Sequence, residues 1–389
     1  MDERIHLIFH NHKNMLHPLC KLSTIKGRYQ ASVLKNIEML LSVILVSRTA
    51  NLNKLKDDLP SVLELTGLKP MSYYKRLLRC VDTCSKSRIW IDLLRWGLSH
   101  VWAQITTLHI DGTEWNFGKY PIHILVLSAD FQGVAIPIFF IIYKHEGVLS
   151  EEKRIAFMKK ALKYYALAGK ILLADREFIG NNWFSFLNQS GVQFIIRLRK
   201  KMYKNQINEL GIAPDLYEKL MARALKRGYA QAMIKINDAS FRVEFWRNKH
   251  HEEAKKEPVI FLITNILDKK RVGKKYQQCW KIEYCFKHLK TNGFNIEDIG
   301  FKKIHKLQFL IAVIIVVYIL AICKGMFVDK KNKTKSKWKK FKSGLTTRAI
   351  SIFRTGLFEL KAAYYNLRLL TKFLHNLPVP KRQFLQIVQ

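Results

Sequence analysis

A short apolar run that ends in acidic residues constrains the fold of this chain more than any other feature. Residues 171–174 read ILLA, which is typical of a buried strand in a parallel sheet. The run is followed at once by Asp175, Arg176 and Glu177. A carboxylate at the end of a buried strand costs free energy unless it is bound to something. The pattern therefore predicts an α/β domain with a binding site at the carboxyl end of this strand.

A second strand with a similar ending lies upstream. Residues 105–115, ITTLHIDGTEW, alternate as a strand does and lead into Asp111, Gly112 and Thr113. Two aspartates at strand ends of one α/β domain predict that these ends are neighbours. The two carboxylates are then placed to share a cation, since carboxylate oxygens are the ligands that hard divalent cations take.

Residues 276–290, YQQCWKIEYCFKHLK, have the spacing of one amphipathic helix without internal Pro or Gly. One face carries the polar or reactive side chains Tyr276, Cys279, Glu283 and Lys290. The opposite face is apolar and predicts packing on a core: Ile282, Cys285, Phe286 and Leu289. A carboxylate on a rigid helix beside a cation suits a metal and phosphate site. An ordinary surface helix with solvated charges has the same pattern, so the helix alone leaves both interpretations open.

The two strand ends and the helix together resemble a DDE transposase of the insertion-sequence-four family. The signature of that family is Tyr, two residues, Arg, three residues, Glu, six residues, Lys. Tyr276, Glu283 and Lys290 match it, whereas Cys279 stands at the Arg position. Trp280 follows, where a Trp is common in relatives. The resemblance covers roughly residues 100–325 and rests on the three motifs in this order and spacing.

The resemblance implies metal-dependent cut-and-paste transposition, with DNA cleavage at the ends of an insertion sequence followed by strand transfer. It implies that Asp111, Asp175 and Glu283 are catalytic and hold two Mg²⁺ ions, with Mn²⁺ as a substitute. Asp111 would bridge both ions, and the other two carboxylates would each complete one site. Two divalent cations suit this chemistry because they activate the attacking oxygen and relieve charge on the leaving one.

Tyr276 and Lys290 are expected to hold DNA phosphate near the scissile bond, and Trp280 belongs to the same DNA-binding set. The resemblance also implies a DNA hairpin intermediate with a flipped base. Cys279 departs from this pattern because a thiol lacks the charged, bidentate fork that Arg offers to phosphate. Cleavage is expected to survive this change while hairpin handling suffers. A catalytically degenerate DNA-binding relic therefore stays open as an alternative.

The charge of the chain indicates a polyanionic partner. Its 389 residues carry 67 Lys and Arg against 30 Asp and Glu, a formal charge of +37. Double-stranded DNA is the simplest partner, and a membrane surface is the competing one. The resemblance specifies terminal inverted repeats and target DNA, bound by a homodimer in the synaptic complex.

The six cysteines form no CxxC pair, so the sequence lacks a structural zinc pattern. Free thiols point to a reducing cytoplasm, where the protein would associate with the nucleoid. The amino terminus has no long apolar core and is not a secretory signal. Leu307–Cys323 is a 17-residue apolar run, slightly short of the roughly 20 residues that span a bilayer. It is predicted to be a buried core helix, with a transmembrane helix as the alternative.

Residues 1–100 are predicted to form a helical DNA-binding domain. Helices are expected at residues 34–46, 51–65 and 72–84. The third is the best candidate for phosphate contact because it carries Tyr73, Lys75, Arg76 and Arg79. A helical domain with a solvated basic face is the alternative.

Residues 101–325 are predicted to form a ribonuclease-H-like catalytic domain, with the order strand, strand, strand, helix, strand, helix, strand up to residue 200. Asp175 and Glu283 lie 108 residues apart, so an insertion is expected, and residues 200–265 alternate like antiparallel strands. Trp246, in a basic strand of this insertion, is a candidate for stacking on an unpaired base, with a packed Trp as the alternative. Asp130 precedes Gly133 closely enough for ordinary turn chemistry and is not assigned to the site.

Residues 326–389 are predicted to form a basic and helical carboxyl-terminal region. A Lys-rich tract at residues 324–342 has the composition of a mobile phosphate-binding linker, and residues 345–375 return to a helical pattern. Two other classes remain open for the whole chain. One is a different two-metal nuclease or resolvase of the ribonuclease-H-like fold, and the other is a DNA-binding protein without enzymatic activity.

Overall fold

The structure is a computed structural model, and it describes residues 28–63, 67–99, 101–117, 120–144, 147, 149–211, 214–249, 251–268, 271–290, 293–331, 338–340, 346–348 and 350–365. It is a mixed α/β fold with one eight-stranded sheet. Residues 1–27 of the predicted amino-terminal domain and residues 366–389 of the predicted carboxyl-terminal region lie outside the described residues.

Four helices precede the sheet: α1 (Ala31–Ser47), α2 (Leu52–Leu63), α3 (Pro70–Cys84) and α4 (Ile89–Ser99). Pro70 begins α3 at a position where its missing N–H costs nothing. The buried faces of these helices belong to the same continuous core as the sheet and the long helix described below. The predicted helices are thus present, and among the described residues they share one core with the sheet.

The first five strands form the part of the sheet that holds the acidic motifs. They are β1 (Thr107–Phe117), β2 (Tyr120–Phe131), β3 (Val134–Tyr143), β4 (Ile171–Ala174) and β5 (Gln193–Arg197), and they lie in the order β3-β2-β1-β4-β5. β1, β2 and β3 pair as an antiparallel meander, whereas β4 and β5 run parallel to β1. Helix α5 (Glu151–Leu162) joins β3 to β4, and helix α6 (Asn181–Gln189) joins β4 to β5. The predicted order of elements up to residue 200 is confirmed.

The predicted insertion extends this sheet and does not form a separate β piece. Two helices, α7 (Lys204–Glu209) and α8 (Leu216–Arg227), come first. They lead to β6 (Tyr229–Ile236), β7 (Ala239–Arg247), α9 (His251–Lys256) and β8 (Val259–Thr264). β8 pairs antiparallel with β5, so the full order is β3-β2-β1-β4-β5-β8-β7-β6. Asn237 and Asp238 both have positive φ, 47° and 64°, as a tight two-residue hairpin turn requires.

The apolar run becomes the centre of helix α12 (Ile304–Lys331), which follows the short helices α10 (Gly273–Tyr276) and α11 (Lys281–Leu289). Among the described residues α12 is the one helix long and apolar enough to cross a membrane, and 83% of its most apolar window is buried inside the protein. It packs against α1, α3, α4 and β3, which agrees with the predicted core helix.

The final described helix, α13 (Ile352–Tyr365), crosses α12 at very short range. A Cβ on Gly325 would lie 2.1 Å from the Ile352 oxygen, so only glycine fits this crossing. The predicted linker at residues 324–342 is therefore wrong in its first part, because residues 324–331 continue α12. Short strands β9 (Trp338–Lys340) and β10 (Thr346–Arg348) pair with each other between α12 and α13.

Candidate active site

The segment 276–290 is not one continuous helix. α10 ends at Tyr276, residues 277–280 form turns, and α11 begins at Lys281. The N–H groups of Gln278, Cys279 and Lys281 bond three residues back, which gives a tighter turn than an α-helix. The predicted single polar face is therefore wrong as geometry. The break nevertheless leaves Tyr276 and Cys279 close to Asp175, as the following contacts show.

Three neighbouring strands place their functional side chains in one row. His109 of β1 is paired with Leu173 of β4, and Ala174 of β4 is paired with Ile196 of β5. Continuing both registers sets Asp111 beside Asp175 and Asp175 beside Arg197. Since side chains two residues apart point to the same face of a sheet, all three lie on the face that carries Leu173 and Ile195.

Several negative charges act on Asp111. Its Oδ1 accepts a hydrogen bond from the N–H of Gly112 at 2.8 Å. Burial raises the pKa of Asp111 from 3.8 to about 7, and the negative charges of Glu177, Glu283 and Asp175 add to the rise. Glu177, two residues after Asp175, was not predicted as a site residue. Its charge is a further negative charge that acts on Asp111.

Tyr276 and Cys279 lie close to Asp175. The Tyr276 hydroxyl donates to Asp175 Oδ1 at 3.4 Å. The pKa of the Cys279 thiol is raised by burial and then by the charges of Asp175, Asp111 and Glu283. Cys279 therefore lies among all three predicted carboxylates, as an uncharged thiol where the family signature has a guanidinium.

Arg197 is a site residue that the sequence prediction missed. Its Nη2 donates to Glu257 Oε2 at 2.5 Å, and Arg176 Nη1 lies 3.7 Å from the same oxygen. Burial lowers the pKa of Arg197, but the charges of Glu257, Tyr276 and Asp175 outweigh this and raise it overall. The sequence could have indicated Arg197 through its position as the last residue of β5, the strand that follows β4 in the chain.

Glu283 and two residues that flank α11, Trp280 and Lys290, complete the predicted set on this segment. Glu283 is exposed, and so is Trp280, with half of its surface accessible and its ring 4.9 Å from that of Tyr284. Lys290 Nζ donates to the main-chain oxygen of Glu114 at 2.8 Å and lies 3.6 Å from Glu297 Oε1. Lys290 thus ties the end of α11 to β1 in this state, and its phosphate contact stays a prediction.

Asp130 contributes more than the turn chemistry assigned to it from sequence. It accepts from the N–H of Gly133 at 2.8 Å and from Lys281 Nζ at 2.6 Å, and His109 Nε2 lies 3.9 Å away. Burial alone would raise the pKa of Asp130, but its contacts with His109, Lys281 and Gly133 hold it well below its usual range. This pair attaches the first residue of α11, two positions before Glu283, to the β2–β3 turn.

Gly112, directly after Asp111, lies against the side chain of His123 on β2. A Cβ at this position would lie 2.6 Å from the imidazole of His123, which would then have to shift. The predicted strand end at the Asp-Gly-Thr motif is wrong, because β1 continues through it to Phe117 in a hairpin with β2.

Two other predicted DNA contacts are corrected by the structure. Trp246 packs against Gly273, where a Cβ would lie 2.3 Å from the indole, and its Nε1 donates to Glu244 at 2.6 Å. The indole therefore packs under α10, which favours the alternative of a packed Trp over base stacking. Tyr73 is buried at 3% exposure and is unable to contact phosphate.

Lys75, Arg76 and Arg79 lie on α3, where Lys75 and Arg79 are exposed and Arg76 is half-buried. α3 packs against α1, α2 and α12, which carry none of the carboxylates of the site. These three residues are available to a polyanion, but outside the carboxylate cluster.

In the described part of the chain, no group of three or more His, Cys, Asp or Glu side chains is arranged to hold a metal ion. The donor set nevertheless suits a hard divalent cation, because Asp111 carries the cost of burial and of three neighbouring negative charges. A bound cation would relieve that cost. Asp111, Asp175 and Glu283 are the residues that would hold it.

Comparisons with known proteins give one family match. Residues 151–320 match the family model described as the transposase DDE domain, a little under half of the chain. The match supports a DDE transposase. No curated protein matches the chain. A cryo-EM structure of a piggyBac transposase synaptic complex with hairpin DNA is similar at 12% identity and a TM-score of 0.45, over 97% of this chain and 80% of that one. This likeness is distant and carries no conclusion.

Proposed function

We propose that the chain is a DDE transposase of the insertion-sequence-four type, which cuts DNA at the ends of an insertion sequence and joins them to target DNA. The observation that carries this is that Asp111 of β1 lies in register with Asp175 after β4, that the Tyr276 hydroxyl donates to Asp175, and that Glu283 follows on α11. The negative charges of Asp175 and Glu283 both act on Asp111. The family match includes Asp175 and Glu283, and Asp111 is joined to them by the sheet.

We assign the first five strands to a ribonuclease-H-like core. Their order, β3-β2-β1-β4-β5 with an antiparallel meander and two parallel strands, supports this assignment. Asp111, within β1, then lies beside the carboxyl end of β4. Ligands in open α/β sheets bind at the carboxyl ends of strands.

Asp111, Asp175 and Glu283 would hold two Mg²⁺ ions, or Mn²⁺ in their place. Bound cations of this kind activate the attacking oxygen and stabilise charge on the leaving oxygen of a phosphodiester. Asp111 must first lose its proton, since its pKa lies near 7. Tyr276 holds Asp175 through its hydroxyl, and Arg197 offers a guanidinium in the same row for a DNA phosphate.

The partner is double-stranded DNA, namely the terminal inverted repeats of the element and the target. The formal charge of +37 supports a polyanion, and the burial of α12 favours DNA over a membrane. Two ends must be brought together for strand transfer, so the working unit is a homodimer, acting on the nucleoid in the cytoplasm.

A second candidate function, a DNA-binding protein derived from such an enzyme, is favoured by one observation. Cys279 places an uncharged thiol among three carboxylates, so no positive charge from this position balances them. A different two-metal nuclease or resolvase of the same fold is a further alternative, and strand transfer separates it from a transposase.

The test uses the purified full-length chain and a duplex carrying the inverted repeats that flank its gene. Expected are Mg²⁺-dependent cleavage at the repeat boundary and joining of that end to a second duplex. Binding without cleavage in Mg²⁺ or Mn²⁺ identifies the DNA-binding protein instead. Cleavage without joining identifies a nuclease.

A further inference from the structure

Arg154 is a buried cation that no step of the proposed chemistry uses. It lies on α5 with 6% of its surface exposed. Its Nη1 donates to the main-chain oxygen of Glu177 at 2.6 Å, and its Nη2 donates to that of Ile179 at 3.0 Å. One guanidinium therefore holds two carbonyls of the segment that directly follows Asp175. Planar, two-pronged donation of this kind is available to Arg and not to Lys.

Glu151 holds the other end of the same segment from one turn earlier on α5. Its Oε1 accepts from the N–H of Trp183 at 2.6 Å, in the first turn of α6. A Cβ at position 180 would lie 2.2 Å from this same oxygen, so Gly180 allows the carboxylate to reach the helix. An anion is also stabilised at this place by the positive end of the α6 dipole.

The segment that Arg154 and Glu151 hold, residues 175–183, begins with Asp175. The N–H of Phe178 bonds to the main-chain oxygen of Asp175 at 3.0 Å, which makes a tight turn. Asp175 accepts from the Tyr276 hydroxyl at the start of this turn. The segment has no strand pairing of its own beyond Ala174, so contacts outside the sheet must fix it.

We propose that Arg154 and Glu151 form a clamp that positions Asp175 for cation binding. The inference rests on the proposed function, because it assigns these two residues to the metal site of that function. Neither residue touches the reacting atoms, and both act through the main chain of residues 175–183. Residues that orient metal ligands in this way typically change metal affinity by about 10–100-fold when they are replaced.

The variants are chosen so that each clamp residue has a matched partner. Arg154→Lys keeps the charge but loses the fork, and Arg154→Met loses both. Glu151→Ala removes the acceptor, whereas Glu151→Gln keeps an oxygen that can accept from Trp183. Glu152→Gln and Lys160→Met change exposed residues of the same helix and serve as controls.

Three quantities are measured on full-length protein: Mn²⁺ affinity by calorimetry, amide exchange at Phe178 and Trp183, and the melting temperature. We expect Arg154→Lys, Arg154→Met and Glu151→Ala to weaken Mn²⁺ binding by about 10–100-fold and to speed exchange at one or both amides. Glu151→Gln and the two controls should stay near wild type. Excess Mn²⁺ should restore cleavage to the Arg154→Lys variant, which a globally damaged fold would not allow.

Unchanged Mn²⁺ affinity in a folded Arg154→Lys protein with fast amide exchange overturns the inference, because the segment would then be loose without consequence for the site. If Arg154→Met does not fold, Arg154→Lys and Glu151→Ala decide. A wild-type protein that binds no Mn²⁺, with Asp111→Asn indistinguishable from it, is a failure of the proposed function. In that case, slow amide exchange in the Arg154 variants would overturn the proposed clamp as well. Fast amide exchange in these variants would show that Arg154 holds the segment, without a role in cation binding.

Discussion

Asp111 and Glu283 are assigned to the same cation site, yet the fold holds them in different ways. Asp111 belongs to a sheet half, defined as Asp111, Asp175 and Arg197, which lie within or directly after the paired strands β1, β4 and β5. Glu283 belongs to a helix half, defined as Tyr276, Cys279, Glu283 and Lys290, which lies on a broken helix. Asp111 is partly buried and its pKa is strongly raised, whereas Glu283 is exposed.

This difference shows which part of the site lowers the stability of the folded state. Asp111 is held in an unfavourable, partly buried position because its strand β1 is paired with β2 and β4. The helix half is attached by separate contacts, namely Tyr276 to Asp175, Lys281 to Asp130 and Lys290 to Glu114. Such an element can adjust when DNA and cations arrive, while the sheet half is already in place.

The largest expected effect is the loss of cleavage when one carboxylate is neutralised. Asp111→Asn, Asp175→Asn and Glu283→Gln should each lower the single-turnover cleavage rate by about 1,000-fold or more, about 4 kcal/mol, with DNA binding nearly intact. Near wild-type cleavage by any one of the three in Mg²⁺ shows that this residue is not a ligand. The halves should separate in stability, because Asp111→Asn removes a buried charge and Glu283→Gln does not.

The next effect is a pH dependence located in the sheet half. The pKa of Asp111 rises from 3.8 to about 7 on folding, so the folded state holds the proton more tightly than the unfolded one. Without metal, the free energy of unfolding should therefore fall as the pH rises from about 4 to about 7, by at most about 4 kcal/mol, and level off above. Denaturant unfolding across this range measures it.

Cation binding should show the opposite trend, because the ligand must be deprotonated. Mn²⁺ affinity is expected to rise about tenfold per pH unit below pH 7 and to flatten above it. Asp111→Asn should reduce the fall in stability with pH and leave the part due to Glu38, whose pKa is also raised to about 7 by burial. Glu283→Gln should retain the whole fall. A slope that persists undiminished in Asp111→Asn assigns the titration to another group.

A smaller effect concerns the departure from the signature in the helix half. Cys279→Arg would place a guanidinium among Asp111, Asp175 and Glu283, where it could reach a DNA phosphate. A charge-assisted contact of about 1.5–3 kcal/mol that is stronger in the transition state predicts about tenfold or more faster end processing. The metal preference should not change. Single-turnover cleavage is compared with melting temperature, since Cys279 also packs beside Tyr276 and Trp246.

A slower Cys279→Arg protein with unchanged melting temperature would show that the site has been re-tuned around the thiol. A lower melting temperature would show that Arg does not fit the packed position. The first outcome would contradict the role that the family signature gives to this position. The second would show that the larger Arg side chain does not fit there.

The smallest effect compares one cation from each half. Arg197→Ala and Lys290→Ala should each weaken binding to all DNA sequences alike and reduce the log–log salt slope by about one, because each removes one phosphate contact. Lys160→Ala, an exposed change on α5, is the control. An unchanged slope in Lys290→Ala would mean that Lys290 remains bound to Glu114 when DNA is present.

Much of the sheet half could be predicted from sequence, because its signals are local. The apolar run before Asp175 and the alternation before Asp111 mark strands, and the order of elements up to residue 200 is confirmed. Arg197 was missed because an Arg after a strand is common. Only the pairing of β4 with β5 sets it beside Asp175.

The helix half was less predictable because helical periodicity does not reveal a break. Tight turns at residues 277–280 keep nearly the same spacing as an α-helix, so the pattern of YQQCWKIEYCFKHLK is compatible with both. Asp130 was likewise dismissed, because its ion pair with Lys281 joins residues 151 positions apart. Trp246 was misplaced because its packing against Gly273 depends on how α10 lies on the sheet.

The sequence by itself determined the acidic motifs, the strands that carry them, the buried long helix and the excess of positive charge. These follow from local composition and periodicity, which act over a few residues. Tertiary structure alone decided that Glu177 and Arg197 join the site, that the inserted strands extend the sheet, and that Arg154 holds the segment after Asp175. Those features depend on which strands pair and which buried groups find partners, and such pairing is settled only when distant parts of the chain pack together.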